Sequence, residues 1–346
     1  MIVSIGTNIK EGPWGGGNLF AINLTNYLRH LGHTVVSDLK RNDIDIILLT
    51  EPRKTSESSA FTNSDVLKYL NFKNNNSIVI HRINECDERK NTKNVNNALL
   101  EANKVADSTV FVSNWLKELF LSHGLKDKNI EVILGGANSK IFNSEGYTKW
   151  TPKKKLKIVT HHWGANLNKG FETYNLLDKM LESNKWKNLI EFTYIGNLPK
   201  NFKFKNAKVV EPLSGNDLAK EIKNNHIYVT GSINEPSGNH HIEAAQCGLP
   251  ILYINSGGIP EYCNNYGVMY EFENFEYKLN YTIKNYNELV KNMRSYPYNS
   301  DKMSKDYLEL FESLLNNKLE ILSKRSLPKR TLLDSLYKFT SKLKFT

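Results

Sequence analysis

Two glutamates with seven residues between them, Glu235 and Glu243, lie in the stretch that most constrains how this chain can fold. The apolar residues 227–230 before the first glutamate predict a short buried strand, and the Pro-Ser-Gly run after it predicts a loop. A short helix is expected to begin near Asn239 or His240 and to end at Gly248. An apolar strand and a second glycine-rich loop follow, so the stretch predicts strand, loop, helix, strand and loop in that order.

The start of that predicted helix suits an anionic or hydroxyl-rich ligand. The backbone N–H groups of Gly238, Asn239 and His240 would be unpaired there, and a helix N-terminus carries a partial positive charge. Glu235 would stand at the mouth of the loop and Glu243 about one turn into the helix, which adds two acceptors. The set matches a ligand with many hydroxyls and a diphosphate, although the same spacing also fits two ordinary glutamates of one β-α-β unit.

The residues after Glu243 favour the ligand site over two ordinary glutamates. The helix is expected to end in Cys-Gly-Leu-Pro at 247–250, and the next strand leads into Gly-Gly-Ile-Pro-Glu at 257–261. This pattern resembles the donor-binding half of retaining glycosyltransferases of family 4, which have the GT-B fold. The resemblance implies that Glu235 contacts the donor sugar, that Glu243 holds the ribose hydroxyls of the nucleotide, and that the backbone of residues 238–240 approaches the sugar and diphosphate.

A second loop carries part of the same pattern and one departure from it. Residues 161–170, His-His-Trp-Gly-Ala-Asn-Leu-Asn-Lys-Gly, follow a predicted strand at 156–160. In the resembled family this loop has an Arg five residues before the Lys of a Lys-Gly pair, and both cations neutralise the donor diphosphate. Lys169 matches that Lys, so the resemblance implies a catalytic role for it, but Gly164 occupies the Arg position. Either one cation is missing, or another residue replaces it, with His161, His162 and Arg82 as the candidates.

A glycine-rich loop also follows the first predicted strand. Residues 12–17 include Gly16 and Gly17 and precede a predicted helix with one apolar face, which together predict a β-α-β unit. The spacing is not G-x-G-x-x-G, so no dinucleotide cofactor is inferred. The resemblance implies that this loop faces the cleft near the donor diphosphate and the acceptor, and a tight turn without a ligand is the alternative.

A charged cluster follows the predicted strand at 77–81. In open α/β sheets, sites lie at the carboxyl ends of the strands. His81 matches a position where members of the resembled family often have a histidine that touches the donor sugar, although a lone histidine also fits a structural role. Arg82, Glu85 and Asp87 fit contacts with an acceptor or with one another.

The length of 346 residues and a hydrophobic content of 40% predict two domains with real cores. The expected fold class is α/β of the GT-B type, with two doubly wound Rossmann-like domains facing across a cleft. We assign residues 1–150 to an acceptor-side domain and 151–305 to a nucleotide-sugar-binding domain. Residues 306–346 are expected to form helices that return to the N-terminal domain.

Composition points to a cytoplasmic protein without a metal cofactor. No run of about 20 apolar residues occurs, so no membrane-spanning helix is expected. Residues 1–7 predict a strand rather than a secretion signal, because they lack a basic start and a long apolar run. The chain has 3 cysteines, which are widely scattered, so a reducing compartment is expected. No C-x-x-C occurs, and the histidine pairs at 161–162 and 240–241 lack helical i,i+4 spacing, so no metal is expected.

The net charge of +10 favours anionic partners, but the basic residues lack a nucleic-acid motif, so no nucleic acid is expected. Residues 324–346 are predicted to form a basic amphipathic helix with Pro328 in its first turn. Its apolar residues recur at helical spacing: Leu332, Leu333, Leu336, Phe339 and Leu343. This stripe suits either of two roles, peripheral contact with an anionic membrane near a lipid-linked acceptor, or packing on the N-terminal domain.

The resemblance implies transfer of a hexose from a nucleotide-sugar donor to a glycan or lipid-linked acceptor, with retention of anomeric configuration. The donor is a co-substrate, and no other cofactor is expected. Attack would occur on the face that the leaving diphosphate vacates, with that diphosphate accepting the acceptor's proton, so Glu235 is not expected to be a nucleophile. Two alternatives remain at this point, a GT-B-fold sugar-nucleotide epimerase and a non-catalytic carbohydrate- or nucleotide-binding relative.

Overall fold

The computed structural model describes residues 1–10, 12, 15–126 and 129–328. The first sheet is parallel throughout and has the strand order β2-β1-β3-β4-β5-β6. Its strands are β1 Ile2–Ile5, β2 Thr34–Val36, β3 Ile46–Leu49, β4 Ile78–Ile83, β5 Ser108–Phe111 and β6 Ile130–Val132. Its helices are α1 Gly16–His30, α2 Asn63–Phe72, α3 Asp87–Lys90, α4 Val95–Asn103 and α5 Asn114–Ser122.

The second sheet is also parallel, with the order β12-β11-β10-β7-β8-β9. Its strands are β7 Leu156–His162, β8 Ile190–Gly196, β9 Lys208–Val210, β10 Ile227–Thr230, β11 Ile251–Ile254 and β12 Gly267–Tyr270. Its helices are α6 Phe171–Met180, α7 Asn184–Leu189, α8 Gly215–Lys223, α9 Asn239–Gln246, α10 Ile259–Cys263, α11 Phe275–Lys284 and α12 Tyr286–Met293. Short 3-10 helices occupy Leu167–Lys169 and Phe272–Asn274.

The order of the strands fixes where a ligand can bind. A parallel sheet needs crossover helices on both of its faces, and this explains the apolar runs of β3, β4 and β10, whose residues are all buried. The second sheet changes winding direction between β7 and β10, and the first sheet does so between β1 and β3. Ligands of doubly wound sheets bind in the crevice outside the carboxyl ends of the strands at these switch points. The two sheets therefore confirm the predicted fold class.

The C-terminal helices α13 Ser300–Asn316 and α14 Lys318–Lys324 return to the N-terminal domain, as the predicted fold required. The Tyr307 ring lies 5.1 Å from the Phe20 ring of α1, and both are buried. After α14, the Arg325 guanidinium pairs with the Asp107 carboxylate at 2.5 Å and donates to the carbonyl oxygen of Ser77 at 2.6 Å. The first residue of α13, Ser300, lies within the region 151–305 that we assigned to the second domain.

The predicted membrane-binding helix lies mostly outside the described residues, which end at 328, so its role stays a prediction. In the part of the chain that the structure describes, no helix is long and apolar enough to cross a membrane.

The two domains meet through the turn after β11. The Glu261 carboxylate accepts the backbone N–H groups of Asn114 and Trp115, both at 2.8 Å, which are the first two residues of α5. The next residue, Tyr262, donates its hydroxyl to the carbonyl oxygen of Val112 at 2.5 Å and accepts the N–H of Gly135 at 2.9 Å. These contacts fix one side of the cleft, and both residues lie in the short helix α10, directly after the loop predicted at 255–258.

Candidate active site

A cavity of about 590 Å³ lies between the domains, at the carboxyl ends of the strands of both sheets. From the first domain it is lined by the loop before α1, the region after β4 and the loop after β6. From the second domain it is lined by the loops after β7 and β10 and by the first turn of α9. The cavity brings together nine of the ten residues that the sequence analysis proposed for the site: Glu235, Lys169, Glu243, Gly238, Asn239, His240, Gly16, Gly17 and Gly164.

The N-terminus of α9 faces this cavity without a side-chain cap. Gly238 is the N-cap residue, with φ 86° and ψ 92°, a left-handed region that favours glycine. A Cβ atom there would lie 2.8 Å from the His240 ring and 3.0 Å from Cγ of Glu235. Glycine therefore lets the loop turn tightly into the helix, and the first helical N–H groups remain available to an anion.

Glu235 lies at the centre of a buried group of charges. It is 4% exposed, its Oε2 contacts Lys169 Nζ at hydrogen-bond distance, and its Oε1 lies 3.0 Å from Arg89 Nε. Burial alone would raise the pKa of this carboxyl, but the Arg89 and Lys169 cations outweigh it and lower the pKa to about 2. Glu235 is therefore ionised at neutral pH and can accept hydrogen bonds from hydroxyl groups.

Lys169 is held in this group by the fold of its loop. Burial lowers the pKa of Lys169, and the Glu235 carboxylate opposes that shift. The next residue, Gly170, has φ +101°, and a Cβ there would lie 2.6 Å from the backbone of Gly231. The Lys-Gly pair is thus explained physically, because the glycine allows the lysine loop to lie directly against the loop that carries Glu235.

Arg89, in α3 of the first domain, was not among the residues proposed from the sequence. Its Nη1 donates to the Glu85 carboxylate at 2.7 Å, and Lys90 Nζ lies 3.3 Å from the same carboxylate. Two bonds tie α3 to the second domain: Asn168 donates to the Arg89 carbonyl at 3.2 Å, and Asn234 to the Glu88 carbonyl at 3.4 Å. The charged run after β4 was the available signal, but it did not indicate which of its members reaches the other domain.

Glu243 occupies the first turns of α9 and is 6% exposed. Its Oε2 lies 2.9 Å from His161 Nε2, and the His161 ring meets the Tyr228 ring edge-on at 5.5 Å. Within the described residues no other side chain donates to this carboxylate. The histidine therefore fixes one carboxylate oxygen, and the other is free to accept from a ligand in the cavity.

Three further histidines beside the cavity are held neutral. Burial lowers the pKa of His162 and of His240 well below the usual value, and it lowers the pKa of His241 to about 3. His162 Nε2 lies 2.6 Å from the Tyr174 hydroxyl. His162 was proposed as a substitute cation, and this is corrected here, because a buried neutral imidazole supplies no charge. Among residues 1–10, 12, 15–126 and 129–328, no group of three or more His, Cys, Asp or Glu side chains is arranged to hold a metal.

His81, by contrast, is not brought to the cavity. It is fully buried, its Nδ1 lies 2.9 Å from Asn103 Oδ1, and burial lowers its pKa to about 4. The following residue, Arg82, lines the cavity instead, with its guanidinium carbon 3.9 Å above the Phe20 ring. Because β4 continues to Ile83, the two neighbours point to opposite faces of the sheet.

Comparisons with known proteins agree with this geometry. Residues 196–300 match the sequence model of the family described as glycosyl transferases group 1. The matched region includes β10, α9 and β11, and so carries both Glu235 and Glu243.

One curated relative is a probable sucrose-phosphate synthase from Thermosipho melanesiensis, 28% identical over 212 residues. The match covers 54% of this chain, and it spans about half of the relative's length, 48%.

Solved structures share the fold at low identity. A glycosyltransferase from Rickettsia africae superposes with a TM-score of 0.65 at 16% identity, covering 91% of this chain and 98% of that one. Anabaena HepE in complex with UDP gives a TM-score of 0.66 at 13% identity, covering 90% of this chain and 100% of that one. The chain therefore shares the GT-B fold with these two structures.

Proposed function

We propose that this protein transfers a hexose from a nucleotide-sugar donor to a glycan or lipid-linked acceptor with retention of anomeric configuration. The observation that carries the proposal is the buried contact between Glu235 and Lys169 beside the uncapped N-terminus of α9. Here the Glu235 carboxylate can accept from sugar hydroxyls, while the Lys169 ammonium and the backbone N–H groups of α9 can donate to phosphate oxygens. The match to group 1 glycosyl transferases supports the same conclusion, and so does the solved structure of Anabaena HepE with UDP-glucose.

The reaction requires the diphosphate to leave with its negative charge stabilised. In this proposal the bond between the anomeric carbon and the diphosphate oxygen breaks, and the acceptor oxygen bonds to that carbon from the same face. The proton of the acceptor hydroxyl passes to the leaving phosphate oxygen. Lys169 and the first N–H groups of α9 are fixed in a buried cleft, where they stabilise the departing charge without reorganising. Glu235 accepts from a sugar hydroxyl and orients the ring.

Glu243 binds the other end of the donor. Its free carboxylate oxygen accepts from the ribose hydroxyls, while His161 holds the first oxygen in place. The glycine loop before α1, with Gly16 and Gly17, approaches the diphosphate from the first domain. In this proposal the reaction needs no metal, the protein is cytoplasmic, and the basic tail, which lies outside the described residues, brings it to a membrane-bound acceptor.

Two substitutions separate the roles of the glutamates. Glu243→Ala is expected to weaken the free nucleotide and the nucleotide sugar alike, because both carry the ribose. Glu235→Ala is expected to weaken only the intact donor and to slow turnover. Loss of one charged hydrogen bond costs about 1.5–3 kcal/mol, which is roughly a 10- to 150-fold loss of affinity. Calorimetric titration with a panel of nucleotides and nucleotide sugars measures both effects, and wild-type nucleotide affinity in Glu243→Ala would contradict the ribose assignment.

A turnover assay on the same donor panel, with glycan and lipid-linked acceptors, tests the reaction itself. Activity is expected to survive EDTA and to collapse in Lys169→Ala. Loss of activity on chelation, restored by manganese, would contradict the metal-independent mechanism. Formation of an epimerised nucleotide sugar without any acceptor would instead identify an epimerase, and donor binding without turnover would identify a non-catalytic relative.

A further inference from the structure

One position in the loop of residues 161–170, which carries Lys169, lacks the cation that the sequence resemblance implies. Gly164 stands there, and it lines the cavity. A Cβ atom on Gly164 would have only Lys169 Cε, at 3.8 Å, as a neighbour within 4 Å. The space that a side chain from this position would enter is therefore open, and the second domain leaves Lys169 as its buried cation beside Glu235.

Arg89 brings a second cation to the same carboxylate from the opposite domain. Its side chain is 22% exposed, and its Nε lies 3.0 Å from Glu235 Oε1. The Arg89 pKa is raised, because the Glu235 and Glu85 carboxylates outweigh the opposing effect of burial, so the guanidinium remains charged. Lys169 and Arg89 thus hold the two oxygens of one carboxylate between them.

The donors of Arg89 are not fully used by the protein. Nη1 donates to Glu85 at 2.7 Å, but the N–H of Nε is not aligned on Glu235 and has no hydrogen-bond partner among the described residues. A buried guanidinium N–H without a partner is costly, so the contact with Glu235 does not satisfy all the donors of Arg89. Arg89 also lines the cavity, as do Lys169 and the N-terminus of α9.

We propose that Arg89 is the second cation for the donor diphosphate, supplied by the first domain in place of a cation at position 164. This inference rests on the proposed function. The diphosphate accepts from the guanidinium and the ammonium while both stay beside Glu235, and the carboxylate also accepts from a hydroxyl of the donor sugar. Because α3 belongs to the first domain, the negative charge of the donor also holds the two domains together around it.

The test compares binding of nucleoside diphosphates with binding of uncharged nucleosides. The probes are UDP, ADP and GDP against uridine, adenosine and guanosine, titrated by calorimetry into the full-length protein. Arg89→Ala is expected to lose roughly 10- to 150-fold in affinity for the preferred diphosphate and to keep its affinity for the nucleoside. Turnover is expected to fall by at least the same factor, because the charge on the diphosphate grows as it leaves.

Further variants test whether the effect belongs to Arg89. Arg53→Ala removes an arginine of the same domain that pairs with Glu51 at 2.6 Å outside the cavity lining, and it is expected to bind diphosphate like the wild type. The double variant Arg89→Ala, Gly164→Arg is expected to recover most of the lost diphosphate affinity, because the space at position 164 is open. Gly164→Arg alone is expected to tighten diphosphate binding. If Arg89→Ala does not fold, Arg89→Lys, which keeps the positive charge, and Arg89→Gln, which removes it, make the same comparison, and equal diphosphate affinity in these two variants would overturn the role of Arg89.

The outcomes separate this inference from the function on which it rests. Folded Arg89→Ala that binds the diphosphate as tightly as the wild type would overturn the role of Arg89 and leave the glycosyltransferase proposal standing. Equal losses for nucleoside and diphosphate would also overturn it, because a structural role weakens both. A wild-type protein that binds no nucleotide and transfers no sugar would overturn both proposals together.

Discussion

Glu261 should act as a clamp between the two domains, and the strength of the clamp can be worked out from its contacts. Its carboxylate accepts three hydrogen bonds from the start of α5: the N–H groups of Asn114 and Trp115 at 2.8 Å, and the Asn114 side-chain amide at 2.9 Å. A carboxylate at a helix N-terminus satisfies unpaired donors and is favoured by the helix dipole.

The expected cost of Glu261→Ala is about 2 kcal/mol. One charged hydrogen bond contributes roughly 1.5–3 kcal/mol, but the three bonds share one partly exposed carboxylate, so their contributions do not add. Ser113 also caps α5, by accepting the N–H of Leu116 at 3.2 Å, and it would continue to do so. The total is therefore nearer to one charged hydrogen bond than to three.

Hydrogen exchange followed by mass spectrometry measures this cost locally. A loss of about 2 kcal/mol should raise the exchange rate of residues 114–122 about 30-fold, while β3 and β4 keep their protection. Glu261→Gln keeps one acceptor oxygen and should give roughly half the effect in free energy. The control is Glu118→Ala, which removes an exposed glutamate from the same helix. Unchanged protection of residues 114–122 in Glu261→Ala would refute the clamp.

Three further expectations concern stability. Burial alone would raise the pKa of Glu235, but the Arg89 and Lys169 cations lower it to about 2. The ionised carboxylate therefore stabilises the fold fully above pH ~4.5, and this contribution is lost as the pH falls towards 2. Urea unfolding should show a smaller acid-induced loss of stability in Glu235→Gln than in the wild type. Gly258→Ala should lower the melting temperature by several degrees, because its Cβ would lie 2.3 Å from a backbone carbonyl oxygen, whereas Gly17→Ala, with open space around it, should not. Arg325→Ala should cost about 3–5 kcal/mol in urea unfolding, because it leaves the Asp107 carboxylate buried without its cation.

The second domain was largely predictable because its signals are local. The strand before Glu235, the loop, and the helix expected to begin near Asn239 or His240 and end at Gly248 correspond to β10 and to α9 Asn239–Gln246. Each of these elements is set by neighbours in the chain: apolar runs, a glycine that permits a positive φ, and a Gly-Leu-Pro stop. The spacing of the two glutamates on this framework then follows from the helix itself.

The contacts between the domains were not predictable in the same way. Arg89 is one of several charged residues after β4, and its pairing with Glu235 depends on how two separately folded sheets dock. The docking is fixed by contacts such as Tyr262 with Val112, which join residues far apart in the chain. The sequence offers His161, His162 and Arg82 as candidates for the cation missing at Gly164, whereas the contact of Arg89 with the Glu235 carboxylate is visible only in the structure.

His81 and Arg82 show why residues at the end of a strand are harder to assign than residues on a glycine loop. A strand that ends at residue 81 leaves His81 free to turn towards the crevice. A strand that continues to Ile83 fixes both side chains by alternation, and it sends the histidine to Asn103 and the arginine to Phe20 and the cavity. The pairing of Arg82 and Ile83 with β5 therefore determines that Arg82, and not His81, faces the cavity.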